Sequence, residues 1–430
     1  MIEIVDKKSC VGCNACTEIC PFDCIPLIND DEGFYYPKID HSVCVDCPIC
    51  DRVCPITDKL PETARLMPYI EKAEILRYNE PLVHASYSTN HEIRIDSTSG
   101  GIFSELAFKM FNEGGYVGGA VYNDDFSVSH ILTNDRERLP DIRSSKYVLS
   151  LTDKLFPDVQ EKLKSGNKVL VCGAPCQIVA LYAFLKQDYK NLVTCDFVCK
   201  GVNSPLVFKK YIEWLEGKYQ SKAVKIKAKD KTEGWHKFSM RVDFENGKSY
   251  VKNRYHDPFF VGYLQTGLFT MPACFDCQFK GVSQKSDITL ADFWGIETID
   301  KSMDQDLGTS LILLNSDKGA KYFESISKNI VSKRLTMEDA LPGNSAIYLS
   351  EEEGDEDLRK EFYKDLEKRP FDVVIKKYFP MPTFMSNLKI QLERVDRGFA
   401  MIKEIILSPT STIRIFKKFF PTINLFQEKK

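Results

Sequence analysis

One cysteine pattern occurs twice at the start of this chain. Each copy has the spacing Cys-x2-Cys-x2-Cys-x3-Cys-Pro, and the copies occupy residues 10–21 and 44–55. This spacing is typical of bacterial ferredoxin modules with two [4Fe–4S] clusters, in which the fourth cysteine of each run binds the cluster of the other run. The predicted ligands are Cys10, Cys13, Cys16 and Cys54 for the first cluster, and Cys20, Cys44, Cys47 and Cys50 for the second. Zinc and disulfides are the alternatives, but a zinc site has no use for a third cysteine or a proline in each run.

Composition narrows the class of protein. The 430 residues carry a net charge of −3, which gives no indication of nucleic-acid binding, and their length predicts two to three domains. The cysteine count of 15 is odd and the spacing is that of metal ligands, so we expect a reducing cytoplasm. No stretch reaches the roughly 18 apolar residues of a membrane span. We therefore expect a cytoplasmic protein, either free or peripheral to the inner face of the membrane.

Local patterns predict the domain organisation. A ferredoxin module is expected over residues 1–58, a linker over 59–81, an α/β domain over 82–345 and a helical extension over 346–430. Within the α/β domain, strand and helix signals alternate as far as Trp214, which implies a sheet with some parallel pairing. The predicted fold class is an α+β ferredoxin module followed by an α/β domain with a mixed sheet and a helical C-terminal tail.

Two further segments have their own patterns. Residues 223–251 alternate apolar and polar side chains around Asn246-Gly247, which predicts an antiparallel hairpin. The last part of the chain, from about Ile405, mixes apolar residues with cations. That mixture fits packing against the protein or a sister subunit, or contact with an anionic membrane surface.

Four more cysteines stand at predicted turns. Cys176 follows a strand at the start of a helix, where the helix N-terminus favours the thiolate form. Cys199 ends another predicted strand, and Cys274-x2-Cys277 supplies two thiols from one loop. If the four converge, they would hold a third [4Fe–4S] cluster.

Three cysteines are predicted not to be ligands. Cys172 and Cys195 lie within apolar strand segments, and the usual fate of such a thiol is inert burial. Cys24 follows Cys20 by four residues, where ferredoxins usually carry a small apolar residue, so we expect it to pack rather than to bind iron.

A turn rich in serine and glycine precedes a predicted helix at residues 97–101. Ser97, Ser99, Gly100 and Gly101 could present free N–H groups to a phosphate or pyrophosphate, although most such turns are simply helix caps. Lys146 and Tyr147 add a cation and an aromatic ring in a later loop, which would suit a flavin but is also ordinary on a surface.

Taken together, these residues resemble the beta-subunit family of coenzyme F420 hydrogenases and dehydrogenases, where F420 is a deazaflavin. The resemblance covers about residues 1–340, with the family's N- and C-terminal parts at about 82–160 and 165–335. Besides the ferredoxin runs, it rests on Ser99-Gly100-Gly101, Ser145-Lys146-Tyr147-Val148, Gly173-Ala174-Pro175-Cys176-Gln177, Val198-Cys199-Lys200-Gly201-Val202, Cys274-x2-Cys277 and the run from Ser286 to Gly295. The chain departs from the family pattern at Ala174, where threonine is typical, and at Lys200, where histidine is common.

The resemblance implies a flavoprotein in which FAD lies beside a [4Fe–4S] cluster and joins a two-electron carrier to one-electron clusters. Three functions follow as hypotheses: a reductase of an organic substrate, a deazaflavin oxidoreductase subunit, or a noncatalytic electron relay in a larger complex. Each needs a redox partner protein or a small electron carrier, and the acidic ferredoxin module would suit a basic partner surface. The candidate proton donors are Lys146, Tyr147, Lys200 and Asp292.

Overall fold

The computed structural model describes residues 6–57, 81–281, 285–350 and 353–379. The predicted linker apart from Pro81, and the segment from Ile405, lie outside the described residues. Residues 1–379 group into one compact unit, within which the ferredoxin module and the α/β domain are in contact. The predicted domain boundaries at 58, 81 and 345 remain predictions.

The ferredoxin module has little regular structure. Helix α1 covers Ala15–Glu18, and strands β1 (Leu27–Asn29) and β2 (Tyr35–Pro37) form an antiparallel hairpin between the two cysteine runs. A 3-10 turn at Asp51–Val53 leads into Cys54. Loops therefore carry most of the cysteines, as expected of a chain that wraps metal clusters.

Alternating strands and helices build the α/β domain. The strands are β3 (Leu82–Ser88), β4 (Tyr116–Tyr122), β5 (Val128–Thr133), β6 (Ser150–Leu151), β7 (Val169–Cys172), β8 (Leu192–Phe197), β9 (Ala223–Asp230), β10 (Ser239–Phe244), β11 (Ser249–Asn253), β12 (Ile288–Asp292), β13 (Ser310–Leu314) and β14 (Ile330–Leu335). The helices are α2 (His91–Asp96), α3 (Ile102–Asn112), α4 (Leu139–Ile142), α5 (Leu155–Lys164), α6 (Pro175–Leu185), α7 (Pro205–Tyr219), α8 (Pro258–Gln265), α9 (Ile296–Ile299), α10 (Asp317–Glu324), α11 (Met337–Ala340), α12 (Glu356–Lys368) and α13 (Phe371–Tyr378).

A mixed sheet of nine strands forms the centre, in the order β14-β3-β13-β12-β8-β7-β4-β5-β6. Strands β4, β7, β8 and β12 run parallel to one another, whereas β12, β13, β3 and β14 pair antiparallel. The carboxyl ends of the four parallel strands therefore share one edge of the sheet. Ligands of open α/β sheets bind at this kind of edge.

Strands β9, β10 and β11 form a separate antiparallel sheet, in agreement with the predicted insertion. Its turn between β10 and β11 is the predicted Asn246-Gly247, where Gly247 has a φ of 77°. Aromatic contacts join the last described helices to the domain, because Phe371 of α13 packs against Tyr211 and Trp214 of α7. The predicted fold class is confirmed, with a mixed sheet behind the ferredoxin module and helices at the C-terminal end.

Two elements differ from expectation. The residue pattern over 318–330 predicts one helix, but helix α10 ends at Glu324 and the chain then forms edge strand β14 beside β3. Strand β14 has one buried residue, Ile330, and four exposed ones, so it lacks the apolar pattern that marks a core strand.

Candidate functional site

Two sets of thiols converge in the ferredoxin module, in the crossed arrangement that the spacing predicts. The thiols of Cys13, Cys16, Cys10 and Cys54 lie close enough to raise one another's pKa, so Cys54 of the second run joins the first run. We call these four the first ferredoxin set. The second ferredoxin set lines one small cavity and consists of Cys20, Cys44, Cys47 and Cys50.

Cys24 lies inside the cavity of the second ferredoxin set. Its Sγ atom is 3.4 Å from Sγ of Cys20, and its side chain is 4% exposed. It packs with Ile25 and Ile39 in a small apolar group beneath the set. This placement agrees with the packing role expected from the sequence.

A third set of thiols forms where the carboxyl ends of β7 and β8 meet a loop. The neighbours that raise the pKa of the Cys176 thiol are Cys277, Cys199 and Cys274, so the four lie together. Gly201 has a φ of +112°, and a Cβ there would lie 3.2 Å from Cβ of Cys274. Glycine is therefore needed for the close approach of this loop to the third set.

Burial dominates the chemistry of these thiols. It raises the pKa of Cys10 to about 11 and of Cys16 to about 12, and it raises the pKa of Cys176 well above the ordinary range. At the start of α6 the Gln177 N–H lowers the pKa of Cys176, as expected of a helix N-terminus, but burial and the neighbouring thiols outweigh this effect. None of the 15 cysteines forms a disulfide. Thiols in groups of four fit soft metal ions, whose binding drives deprotonation.

Cys172 and Cys195 are not part of these sets. They face each other in the register of β7 and β8 and pack into the same core group. Burial raises the pKa of Cys172 to about 12. Their placement agrees with the inert role expected from the sequence.

The ferredoxin module contacts the α/β domain beside the first ferredoxin set. Cys10 and Cys274 pack against one apolar group that contains Phe34, Leu149 and Met271. The first ferredoxin set is therefore the one that faces the third set.

Polar contacts hold this orientation. The Glu18 carboxylate contacts Thr152 and accepts a hydrogen bond of 3.1 Å from the Phe156 N–H at the start of α5. The guanidinium of Arg359 in α12 donates to both carboxylate oxygens of Glu32, at 2.8 and 2.5 Å.

A group of polar and aromatic side chains lies at the same edge of the sheet, and we call it the edge cluster. It consists of Tyr147, Lys229, Trp235, Asp292 and Trp294. Lys229 forms an ion pair with Asp292, and their side chains are only 6% and 11% exposed. The indole N–H of Trp235 donates to Asp292 at 3.0 Å, and its ring stacks on Trp294 with centroids 4.6 Å apart.

Electrostatics in the edge cluster favour a protonated lysine. Burial alone would lower the pKa of Lys229, but Asp292 and the Tyr147 hydroxyl outweigh it and the net pKa is raised. Burial raises the pKa of Tyr147, although Lys229 opposes that change. The site therefore combines a buried cation, a neutral phenol and two indole rings.

The third set and the edge cluster are neighbours. Lys200 follows Cys199 in the chain, and its Nζ lies 5.8 Å from the ring centroid of Tyr263. That ring is in turn 5.4 Å, between centroids, from the ring of Tyr147. One aromatic side chain therefore separates the loop of the third set from the edge cluster.

The turn at residues 97–101 is held by the protein itself. The Gly100 N–H donates to Oγ of Ser310 at 2.9 Å, and the Ser99 hydroxyl donates to the Thr309 carbonyl at 2.9 Å. A Cβ at Gly100 would lie 2.4 Å from the Ser86 carbonyl oxygen, so glycine is required there for packing. These groups do not form an open phosphate cradle.

The other residues of this turn and its neighbour Lys146 also make internal contacts. The Ser97 hydroxyl is 3.5 Å from that of Ser104, and Gly101 has a φ of +88° at the start of α3. The Lys146 Nζ donates to the carbonyl of Asp141 at 2.6 Å and to three following carbonyls, and burial lowers its pKa to about 7. A cofactor-binding role for the turn or Lys146 stays a prediction.

Sequence reasoning missed two residues of the edge cluster. Lys229 lies in a strand where Lys225, Lys227 and Lys229 alternate with apolar residues, and Lys225 is exposed. Only the tertiary fold distinguishes the buried lysine from its neighbours. The rarity of tryptophan, with three in the chain, was the one weak indication that Trp235 belongs to a functional site.

Comparison with known protein families gives two matches. Residues 9–57 match the model of a 4Fe–4S dicluster domain, so the chain is an iron–sulfur protein. Residues 166–339 match the model of the C terminus of the coenzyme F420 hydrogenase/dehydrogenase beta subunit. The chain therefore combines a dicluster ferredoxin domain with a later segment that matches the C-terminal part of the coenzyme F420 hydrogenase/dehydrogenase beta subunit.

Comparison with curated proteins gave no match. Among solved structures, the chain is similar to one from the F420-reducing [NiFe] hydrogenase complex of Methanosarcina barkeri, studied by xenon derivatization. The two are 19% identical, the alignment covers 67% of this chain and 91% of the other, and the TM-score is 0.43.

Within the described residues, no helix has the length and apolar character needed to cross a bilayer.

Proposed function

We propose that this chain is an oxidoreductase that moves single electrons through three [4Fe–4S] clusters and exchanges them with an organic redox group at the edge cluster. The observation that carries the proposal is the position of the third set, which lies between the ferredoxin module and the edge cluster. Cys10 and Cys274 share one apolar group, and Tyr263 links the Cys199 loop to Tyr147. The order of sites is then second ferredoxin set, first ferredoxin set, third set and edge cluster.

FAD is the organic cofactor that we propose for the edge cluster, where it would couple one-electron to two-electron chemistry. Two indole rings, a protonated Lys229 and the Tyr147 hydroxyl fit a flat heteroaromatic ring with hydrogen-bond acceptors at its rim. Asp292 holds Lys229 in its protonated form, and Trp235 fixes the orientation of Asp292. We propose Tyr147 and Lys229 as the groups that hold a proton for the reaction, while Lys200 remains a further candidate.

The substrate class is an organic molecule or a deazaflavin coenzyme that accepts or donates a hydride. The edge cluster supplies donors and a cation, which suits a substrate whose reduced form carries negative charge. A redox partner protein or a small electron carrier would serve the far end of the chain of clusters. The alternative function is an electron relay without flavin, and the flavin content of the protein distinguishes the two.

Iron content tests the three clusters. Protein purified without oxygen should contain about 12 iron and 12 sulfide atoms per chain, as three [4Fe–4S] clusters require. The variant Cys176→Ala should lose about one cluster's worth of iron, whereas Cys172→Ala should lose none because Cys172 packs in the core. A full iron content in Cys176→Ala would refute the third cluster.

Flavin content tests the edge cluster. Denatured protein should release about one FAD per chain, and Lys229→Met should lower that ratio while leaving the iron content unchanged. Lys225→Met is the matched control, because Lys225 lies on the same strand with its side chain exposed. Clusters without flavin in the unmodified protein, even after FAD is added, would favour the relay instead.

A further inference from the structure

The second ferredoxin set lies near the surface of the molecule. Two exposed apolar side chains line its cavity: Phe22 is 47% exposed and Val45 is 57% exposed. Val43, which precedes Cys44 in the chain, is also 47% exposed. By contrast, the first ferredoxin set lies against an apolar group in which Phe34 of the ferredoxin module and Met271 of the α/β domain are fully buried. The apolar rim therefore surrounds the one ferredoxin set that faces outward.

Carboxylates flank this apolar rim. Asp23, Asp40 and Asp46 are exposed beside it, and Oδ1 of Asp46 lies 4.0 Å from Sγ of Cys44. In the described residues 20–57 the exposed cations are Lys38 and Arg52. Four ligating thiolates would add further negative charge, so the surface combines an apolar centre with a negative surround.

We infer that this surface, defined by Phe22, Val43, Val45 and the three flanking carboxylates, is the docking site for an electron-carrier protein with a basic rim around an apolar face. The inference rests on the proposed function, because it needs a working cluster at the second ferredoxin set. Electrons enter or leave the chain there, and the partner's cofactor lies under its own apolar face.

The chemistry of the surface selects this class of partner. Exposed valine and phenylalanine side chains lose water favourably against an apolar face, which draws the two cofactors together. Carboxylates at the rim attract a basic partner and speed its encounter, but they contribute little once the complex has formed. Redox complexes of this type have small interfaces and short lifetimes, so a patch of a few side chains is sufficient.

Reduction of protein acceptors tests the docking site. The chemically reduced holoprotein is mixed in a stopped-flow instrument with a basic c-type cytochrome, an acidic plastocyanin or a small dye that needs no docking. We expect the cytochrome to be reduced faster than plastocyanin at low salt, and its rate to fall as salt screens the rim.

Two variants separate the apolar centre from the charged rim. Val45→Asn should slow reduction of the cytochrome about three- to tenfold, and Asp46→Lys should slow it about fivefold at low salt. The matched controls are Val224→Asn, at a valine that is 54% exposed on β9, and Glu338→Lys, at an exposed carboxylate of α11. Dye reduction and iron content should be unchanged in all four variants.

The outcomes separate docking from electron transfer. Equal cytochrome rates in Val45→Asn, Asp46→Lys and the unmodified protein, with normal dye reduction, would overturn the docking site and leave the proposed function intact. Faster reduction of plastocyanin than of the cytochrome would overturn the basic partner. Failure of the unmodified protein to reduce even the dye would refute the proposed function together with this inference.

Discussion

The ion pair between Lys229 and Asp292 offers the sharpest test of the edge cluster. The variant Asp292→Asn keeps an oxygen that accepts the Trp235 N–H but removes the charge opposite Lys229. Removing one partner of a buried pair costs about 3–5 kcal/mol, because the other charge stays buried without compensation. A domain of this size loses about 2–4 °C in Tm per kcal/mol, so we expect a decrease of roughly 6 °C or more.

The pH dependence of the stability loss in Asp292→Asn shows whether the unpaired charge of Lys229 causes that loss. In the unmodified protein the pKa of Lys229 is raised above its ordinary value of 10.5. The ion pair therefore contributes fully to folding stability below about pH 10.5, and this contribution is lost only at higher pH. In Asp292→Asn the burial that lowers the pKa is no longer outweighed. The folded variant then binds fewer protons than the unfolded chain, and its stability rises with pH up to about 10.5.

Thermal unfolding at about pH 7 and about pH 9.5, followed by circular dichroism, measures both effects. The stability deficit of Asp292→Asn should be smaller at the higher pH. Asp300→Asn is the control, because it breaks the ion pair with Lys333, whose side chain is 46% exposed, and should change Tm little at either pH. A deficit in Asp292→Asn as small as that of the control, or one that does not shrink with pH, would refute the argument.

Three further changes have expected results. Gly100→Ala should destabilise the domain by more than about 2 kcal/mol in urea unfolding, because its Cβ would clash with backbone, whereas Gly217→Ala, which meets no atom within 4 Å, should be neutral or stabilising by up to about 1 kcal/mol. Arg359→Ala should expose the ferredoxin module to limited proteolysis faster than Arg359→Lys, since lysine keeps one contact to Glu32 and alanine keeps none. Cys24→Ala should leave the iron content unchanged, and a loss of iron would make Cys24 a ligand.

Much of the fold follows from local patterns in the sequence. Between residue 82 and Trp214, strands and helices alternate as the apolar runs and turn residues predict. Strand β14 escaped prediction because an edge strand with Ile330 as its one buried residue carries no apolar period. The sequence does not predict that β12 and β13 extend the sheet on the side of β8. The order of strands in a sheet depends on contacts between residues that are distant in the chain.

The two halves of the candidate site differ in how far sequence predicts them. Cysteine spacing predicts the sets because metal ligands must come from short loops, and Cys54 joins Cys10 as the spacing requires. The edge cluster depends instead on which of several alternating lysines is buried. Lys229 is the buried lysine because β9 packs it against Asp292 and Tyr147. No local sequence pattern predicts this tertiary contact.

The order of the sites is also a consequence of packing. Glu18 and Glu32 lie on the face of the ferredoxin module that meets the α/β domain, and each accepts hydrogen bonds from that domain or from α12. These contacts turn the first ferredoxin set inward and leave the second set beside the exposed side chains of Phe22 and Val45. Reversing the module would bury those two side chains against the domain and would leave both carboxylates without their partners. The module therefore has one favourable orientation, and it is the orientation that the proposed electron path requires.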